Sequence, residues 1–306
     1  MAQQTLLSLS SPLSSSSYII YQPGDIPLIL TVPHGGNRKN GITIPDRSKN
    51  DDNQLLNDAY TISTAQSIAN NIADFYGARP YIVICNVPRI KVDVNRPIEQ
   101  AAESDQGKAI WKEYHQTIQY AVNEIRTRHN QQGLLLDIHG HQRHDFVMLG
   151  YLLEKDELIN LQNDADGTDQ AVLRKSSIQS LAARISIPER PSDLLRGEGS
   201  FGQLMEFAAS ENIEDVVKTM PSPNHPAPTE DEFYFIGGYT TETYHDSNNN
   251  NNGNQDGGFD TIQIELPQRL RFTSSQRQVA AKSIADAAIY WLDHYYQPVV
   301  HNKAHM

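Results

Sequence analysis

The chain predicts one α/β domain, a mixed and mostly parallel sheet with helices on both faces. Three observations predict it. Apolar runs of strand length alternate with amphipathic stretches in the order strand, helix, strand, helix, strand, the trace that helical crossovers between parallel strands leave in a sequence. Two of those runs, 26–32 and 133–138, stop abruptly at glycine and histidine, as strands do where the carboxyl rim of a sheet carries chemistry. A length of 306 residues suits a single large domain with a substantial core.

Each element follows from its own pattern. Residues 1–17 repeat serine and read as a disordered tail. The strand ending at Val32 opens the domain, and a glycine- and charge-rich loop follows over 35–52. Leu55, Leu56, Ala59, Ile62, Ala65, Ile68, Ala69, Ile72 and Phe75 recur at spacings of three and four, predicting a helix that Gly77 ends. Residues 80–87 are the next strand, and 101–129 a second helix around Ile110, Tyr114, Ile118, Ala121, Val122 and Ile125. The strand from Gly133 comes next, then another over 146–153.

The second half is less regular. Residues 163–170 read as an acidic, turn-rich loop, with short helices over 176–187 and 201–209. The prolines of 221–228 exclude regular structure. The Asn- and Gly-rich tract 247–258 is a flexible insertion, 259–266 returns as a strand, and a helix over 275–296 closes the domain. The domain therefore covers 18–298 and leaves 299–306 as a tail, with no internal repeat.

Composition narrows the function. A net charge of −12 argues against nucleic-acid and anionic-membrane partners. No run approaches the roughly 18 apolar residues of a membrane span. Cys85 is the only cysteine, so no intrachain disulfide forms, which fits a reducing compartment and a cytoplasmic protein. Its place in Tyr81-Ile82-Val83-Ile84-Cys85 marks it as a buried strand residue.

Five segments carry candidate chemistry. His34 and His139 each follow a strand directly. Alone, each reads as a hydrogen-bonded turn histidine; together they read as two ligands of a metal site. A catalytic zinc takes three protein ligands and leaves a position for water. Asp58, at the start of the first predicted helix, is the candidate third ligand, able to point back toward the strand rim. His141 competes with His139. The segment 89–97 places Arg89, Lys91 and Arg96 after a strand, a local cationic patch suited to carboxylates in an acidic protein, unless it is a solvated loop paired to its own Asp93. In the strand 260–267, Ile262, Ile264 and Leu266 alternate with Thr261, Gln263 and Glu265, so one face is core and the other a pocket wall. Glu265 is then a candidate general base. Gly238, Tyr239 and His245, in the segment 237–245, form a candidate substrate-binding turn. The glycines 197, 199 and 202 match dinucleotide spacing without a preceding strand, and no HExxH occurs.

These segments, in this order, resemble the N-formylglutamate amidohydrolase family. The matches are Val32-Pro33-His34-Gly35-Gly36, Arg89 through Val92-Asp93-Val94-Asn95-Arg96-Pro97, Asp137-Ile138-His139-Gly140-His141, Gly237-Gly238-Tyr239 and Gln263-Ile264-Glu265, spread over about residues 25 to 295. The family looks like a distant relative of zinc carboxypeptidases and aspartoacylase, so the resemblance implies a carboxypeptidase-like, phosphorylase/hydrolase-like fold. It further implies one Zn²⁺ held by His34, an acid and His139, with Glu265 promoting attack by water. Asn95 and Arg96 would grip a substrate carboxylate, and Arg89 would polarise the scissile carbonyl. The implied activity is hydrolysis of the amide bond of a small anionic N-acyl amino acid such as N-formylglutamate. Two features depart from the family pattern. No HxxE spacing follows His34, so Asp58 is chosen by position, and His-Gly-Gly stands where authentic formylglutamate hydrolases commonly have His-Ser-Gly. A carboxypeptidase-like peptidase and a non-catalytic protein binding a metal or small anion are the alternatives.

Overall fold

Strand alternation decides the layering. In β2 (Leu28–Val32), Leu28, Leu30 and Val32 point into one apolar cluster and Ile29 into another, because successive side chains leave a strand on opposite faces. The computed structural model describes residues 18–37, 43–49, 54–161, 169–185, 192–208, 217–246 and 258–296. The tails 1–17 and 299–306, the tract 247–257 and most of the acidic loop 163–170 lie outside the described residues.

The elements follow chain order. β1 (Ile19–Gln22) and β2 precede α1 (Thr61–Tyr76), then come β3 (Tyr81–Cys85), α2 (Ile98–Ala101), α3 (Asp105–Arg128), β4 (Gln132–His141) and β5 (Val147–Gly150). Five short helices follow: α4 (Lys155–Asn160), α5 (Asp169–Leu173), α6 (Gln179–Arg184), α7 (Asp193–Arg196) and α8 (Phe201–Ala208). The chain continues through β6 (Thr219–Met220), α9 (Tyr239–Tyr244), β7 (Gly258–Pro267), α10 (Arg269–Phe272) and α11 (Ser274–Tyr295).

The seven described strands form one mixed sheet in the order β1-β3-β2-β4-β7-β5-β6. The central four, β3, β2, β4 and β7, are parallel, whereas β1 and β5 pair antiparallel with β3 and β7. Helices α1 and α11 pack together on one face, burying Ile68, Ile72, Ile284 and Trp291 against Leu30, Leu134 and Leu136. Helix α3 covers the other face with Tyr114, Ile118, Val122 and Ile125 against Ile29, Val83 and Leu135. Cys85 is fully buried in that second layer, and burial pushes its thiol up to about 12, which leaves it inert. No described helix is long and apolar enough to cross a membrane.

Several boundaries differ from the pattern: the predicted helix over 101–129 divides into α2 and α3, α9 lies inside the predicted turn 237–245, and β6 is an added strand. The domain opens one strand earlier, at β1, where Ile19-Ile20-Tyr21 before Pro23-Gly24 was the available strand-and-turn signal. Helix α1 starts at Thr61 and not at Leu55. Tyr60 takes a left-handed turn at φ 70° just before it, and the Asp58 N–H donates to the His34 carbonyl at 3.0 Å. Leu55, Leu56 and Ala59 share the helical spacing but lie in a segment drawn across the strand rim; Leu56 is 75% exposed.

Candidate metal centre

Because β2, β3, β4 and β7 run parallel, their carboxyl ends share one edge of the sheet. That edge gathers His34, the loop after β3, His139 and Glu265. Register does part of the work: His139 pairs with Glu265 across β4 and β7, and Thr31 with Asp137 across β2 and β4. Asp58 arrives from the segment before α1, where the Gly140 N–H donates to its Oδ2 at 3.1 Å.

His34, Asp58 and His139 place one ligand atom each within 4.8 Å of one another, all three buried. Asp58 Oδ2 lies 3.1 Å from His139 Nδ1 and 3.5 Å from His34 Nδ1. The outer ring nitrogens are taken. His34 Nε2 is 2.7 Å from Asp93 Oδ1, and His139 Nε2 is 2.9 Å from Asp137 Oδ2. A carboxylate on the outer nitrogen fixes the tautomer and turns the other nitrogen's lone pair inward, as in carboxylate–histidine–metal arrangements. The inward lone pairs then face an Asp58 anion, an arrangement that asks for a cation between them. His34 Nδ1 is buried with no hydrogen-bond partner. Two imidazoles and one carboxylate fit a divalent transition metal of the zinc class.

Electrostatics agree with that demand. Burial opposes charge on His139, yet Asp137, Asp58 and Glu265 outweigh it and hold its imidazole well above the ordinary range. Burial likewise works against the Asp58 carboxylate, but the His139 and His34 imidazoles beside it hold its carboxyl well below the usual range. Without metal, a proton on His139 is the cation that the three acids require.

Glu265 stands at the rim of this cluster. Its Oε1 is 3.9 Å from His139 Nδ1 and accepts from Gln263 Nε2 at 3.0 Å. Its Oε2 is buried without a partner. Burial pushes the carboxyl up to about 7, with Asp58 and Asp137 adding to the rise and His139 and Arg89 opposing it. A buried carboxylate with a free oxygen and a raised pKa is placed to take up and release a proton near neutrality.

The cationic segment divides. Arg89 turns inward, its Nε donating to Asp93 Oδ2 at 2.9 Å and its Nη1 lying 3.9 Å from Asp58. Lys91 turns away to Asp46 at 2.8 Å. Arg96 is exposed at the mouth of the cavity, and Trp111 Nε1 donates to its carbonyl at 2.8 Å. Asn95 is buried and engaged: its Oδ1 accepts from the Thr240 N–H at 2.8 Å, and its Nδ2 is 3.2 Å from His139 Nε2. It ties the Gly238 turn to the centre. Gly238, Tyr239 and His245 line the same cavity of about 1030 Å³. His141 lies outside the cluster, with Nε2 donating to the Phe146 carbonyl at 2.9 Å and Nδ1 accepting from the Arg143 N–H at 3.2 Å. Burial lowers its pKa to about 4, so it is a neutral, fully engaged imidazole.

Three supporting residues escaped the sequence reading. Arg47, buried, lies 3.5 Å from Asp93 and donates to the carbonyls of Arg89 and Gln54; nothing in the spacing pointed to it. Asp137 stands two residues before His139, on the same face of β4, and that spacing was a usable signal for a buttress. Arg271 has no sequence signature. Its buried guanidinium donates to the carbonyls of Ala59, His141 and Leu266 at 2.5, 3.0 and 3.1 Å. Those carbonyls belong to the segments carrying Asp58, His139 and Glu265, so one side chain clamps all three. A Cβ on Gly140 would sit 2.3 Å from the Arg271 guanidinium carbon, so only glycine leaves the clamp its path.

No family model matches the sequence, and no curated protein matches it. Among solved structures, the chain is similar to an N-formylglutamate amidohydrolase from Ralstonia eutropha, at 10% identity and a TM-score of 0.47, covering 89% of this chain and 98% of that one. It is similar to a gene product of Agrobacterium tumefaciens at 10% identity and a TM-score of 0.45, covering 89% and 94%. A provisionally named carboxypeptidase A from Shewanella denitrificans gives 11% identity and a TM-score of 0.36, covering 90% and 60%. Similarity at this level leaves the reading of the site to its own geometry.

Proposed function

We propose that the chain is a metal-dependent hydrolase that cleaves the amide bond of a small anionic N-acyl amino acid, in the manner of N-formylglutamate hydrolysis. One observation carries the reading: a buried Glu265 with an unpartnered oxygen stands beside the inward-facing His34, Asp58 and His139 donors, within a solvent-accessible cavity. A divalent ion, taken to be zinc, would be held by His34 Nδ1, Asp58 and His139 Nδ1 and would supply Lewis acidity to the scissile carbonyl and to water. Glu265 takes the proton of the attacking water at Oε2 and passes it to the amide nitrogen as the C–N bond breaks, leaving a carboxylic acid and an amine. Arg89, fixed at Nε by Asp93, faces the charge that develops on the carbonyl oxygen. Arg96 has no ion-pair partner among the described residues and orients the substrate carboxylate.

The test is metal content per chain by mass spectrometry on wild type, His34→Ala and His139→Ala. About one zinc in the wild type, lost in both variants, is the expected result; a wild type that stays empty after reconstitution at neutral pH defeats the proposal. Glu265→Gln should keep the metal and lose turnover by about 10²- to 10⁴-fold. In the wild type, kcat/KM should rise with pH as the Glu265 carboxylate forms. Residual activity in Glu265→Gln that keeps the same rise would assign the base elsewhere.

A further inference from the structure

The cavity is far larger than a formylated amino acid. Its volume of about 1030 Å³ equals roughly 34 waters at about 30 Å³ each, and ligand sites of 300–1,000 Å³ commonly hold drug-sized molecules. Its two sides differ in chemistry. The cations Arg89 and Arg96 come from the loop after β3, on one side of the strands that carry the histidines. On the other side, beyond β7, the end of β5 and the segment packed on it line the cavity with Leu152, Phe233, Phe235 and Ile236. That segment is held in place: the Leu152 N–H donates to the Ile236 carbonyl at 2.6 Å, and the Tyr234 hydroxyl donates to the Leu149 carbonyl. With strands spaced about 4.8 Å apart, β3 and β5 are four spacings, or about 19 Å, from each other.

The apolar side is aromatic and open to solvent. Phe233 and Phe235 meet edge to face at 4.7 Å between ring centroids, and Phe235 lies 5.5 Å from the His141 ring. Phe233 remains 45% exposed, and across the cavity Leu56 is 75% exposed. Large apolar side chains left in water around a concave site mark a place where a ligand removes them from it. Arg143 stacks 4.8 Å over Phe233, while Lys175, also on the lining, is paired with Glu157 at 2.7 Å. The side chains of Leu152, Phe233, Phe235 and Ile236 offer no acceptor to a peptide's free α-ammonium, whereas an uncharged ring would be buried against them.

We infer that the Leu152, Phe233, Phe235 and Ile236 wall is an acyl subsite, and that the substrate is an amino acid N-acylated with a bulky, apolar, aromatic group. This deepens the proposed hydrolase and rests on it for the direction in which substrate lies: carboxylate toward Arg96, scissile amide at the metal centre, acyl group on the aromatic wall. A formyl group would leave the wall empty.

The experiment separates binding from turnover. Zinc-loaded Glu265→Gln is titrated calorimetrically with N-benzoyl-glutamate, N-acetyl-glutamate and a glutamyl dipeptide bearing a free amine. Hydrolysis of the same compounds is followed with zinc-loaded wild type. The benzoyl compound should bind at least about tenfold more tightly than the acetyl one, the usual order for a filled apolar pocket, and the dipeptide should bind most weakly. Phe235→Ala should collapse the benzoyl-to-acetyl ratio. Phe233→Ala, at an exposed position, repeats the test should the first variant fold poorly. Equal affinities, no measurable affinity, or a preference that both variants retain overturns the inference. A preference that depends on Phe235 without turnover in wild type supports the subsite and removes the hydrolase; turnover of the acetyl compound without a benzoyl preference does the reverse.

Discussion

His34 and His139 face each other at 4.9 Å between ring centroids, nearly edge to face, yet the two halves of the centre are held by different means. Asp137, behind His139, lies within β4 and is fully buried; its second oxygen accepts from Thr31 Oγ1 at 2.6 Å on the neighbouring strand. Asp93, behind His34, lies in the loop after β3. It also takes Arg89 Nε at 2.9 Å, the Asn95 N–H at 3.1 Å and the Arg47 guanidinium at 3.5 Å. The sheet therefore fixes one histidine, and the loop after β3 fixes the other. Whatever displaces Arg89 reaches His34 through a single shared carboxylate, Asp93, whereas the carboxylate behind His139 is held by Thr31 of the sheet, and His139 meets the loop at Asn95 Nδ2, 3.2 Å away. Under the proposed function, coupling between substrate and metal would run through the loop after β3.

The largest expected effect breaks the loop-held half. Asp93→Ala leaves the buried Arg47 and Arg89 without their carboxylate and His34 without its buttress. Breaking a buried pair by removing one partner costs about 3–5 kcal/mol, read from urea unfolding of the metal-free protein. Burial works against the Asp93 charge, but His34, Arg89 and Arg47 hold its carboxyl well below the usual range. A depressed carboxyl stabilises the fold above the unfolded-state value, about 3.9, and that contribution disappears as pH falls through the lower folded value. Wild type should lose stability below about pH 4 more steeply than Asp93→Ala. Parallel acid limbs, or a loss under about 1 kcal/mol, would remove Asp93 as the joint.

A smaller effect is expected where the sheet does the holding. Asp137→Asn keeps an acceptor for Thr31, so stability should fall less than in Asp93→Ala. Its amide can present N–H to His139 Nε2, which drives the ring proton to the inward nitrogen and blocks a ligand. Zinc affinity should drop about 10- to 100-fold, the usual cost of losing an outer partner, measured by competition with a chelator. An unchanged affinity would mean that β4 alone orients His139.

This contrast also explains how much the sequence revealed. The parallel core, His34, His139 and Glu265 were legible because each rides on or directly follows a regular strand, whose period of two tells which side chains share a face. Asp58 was found by position but assigned to a helix, since Leu55, Leu56 and Ala59 kept the helical spacing while the chain was bent over the rim by contacts distant in sequence. Arg47 and Arg271 were invisible. Their roles depend on backbone carbonyls that come together only once the fold exists, and carbonyls leave no mark on sequence. Phe233 and Phe235 lie in an irregular segment, so no period singled them out as a wall.

The smallest expected effect sharpens the comparison inside the loop itself. Arg89, Lys91 and Arg96 form one cationic run in the sequence, but only Lys91 turns away from the cavity, to the Ile44 carbonyl at 2.7 Å and Asp46 at 2.8 Å. That pair is partly solvated, so Lys91→Ala should cost about 0–1 kcal/mol and leave KM for anionic substrates near wild type. Arg96→Ala, by contrast, should raise KM severalfold and leave kcat almost intact, because it removes an orienting contact and no proton-transfer group. Measured at low and high salt, the two variants distinguish position from summed charge, since screening beyond about 10 Å at 0.1 M weakens only long-range attraction. An equal rise in KM for both, abolished by salt, would mean the loop attracts anions as a diffuse patch. A rise confined to Arg96→Ala would mean that this loop grips substrate at a defined atom while holding His34 through Asp93.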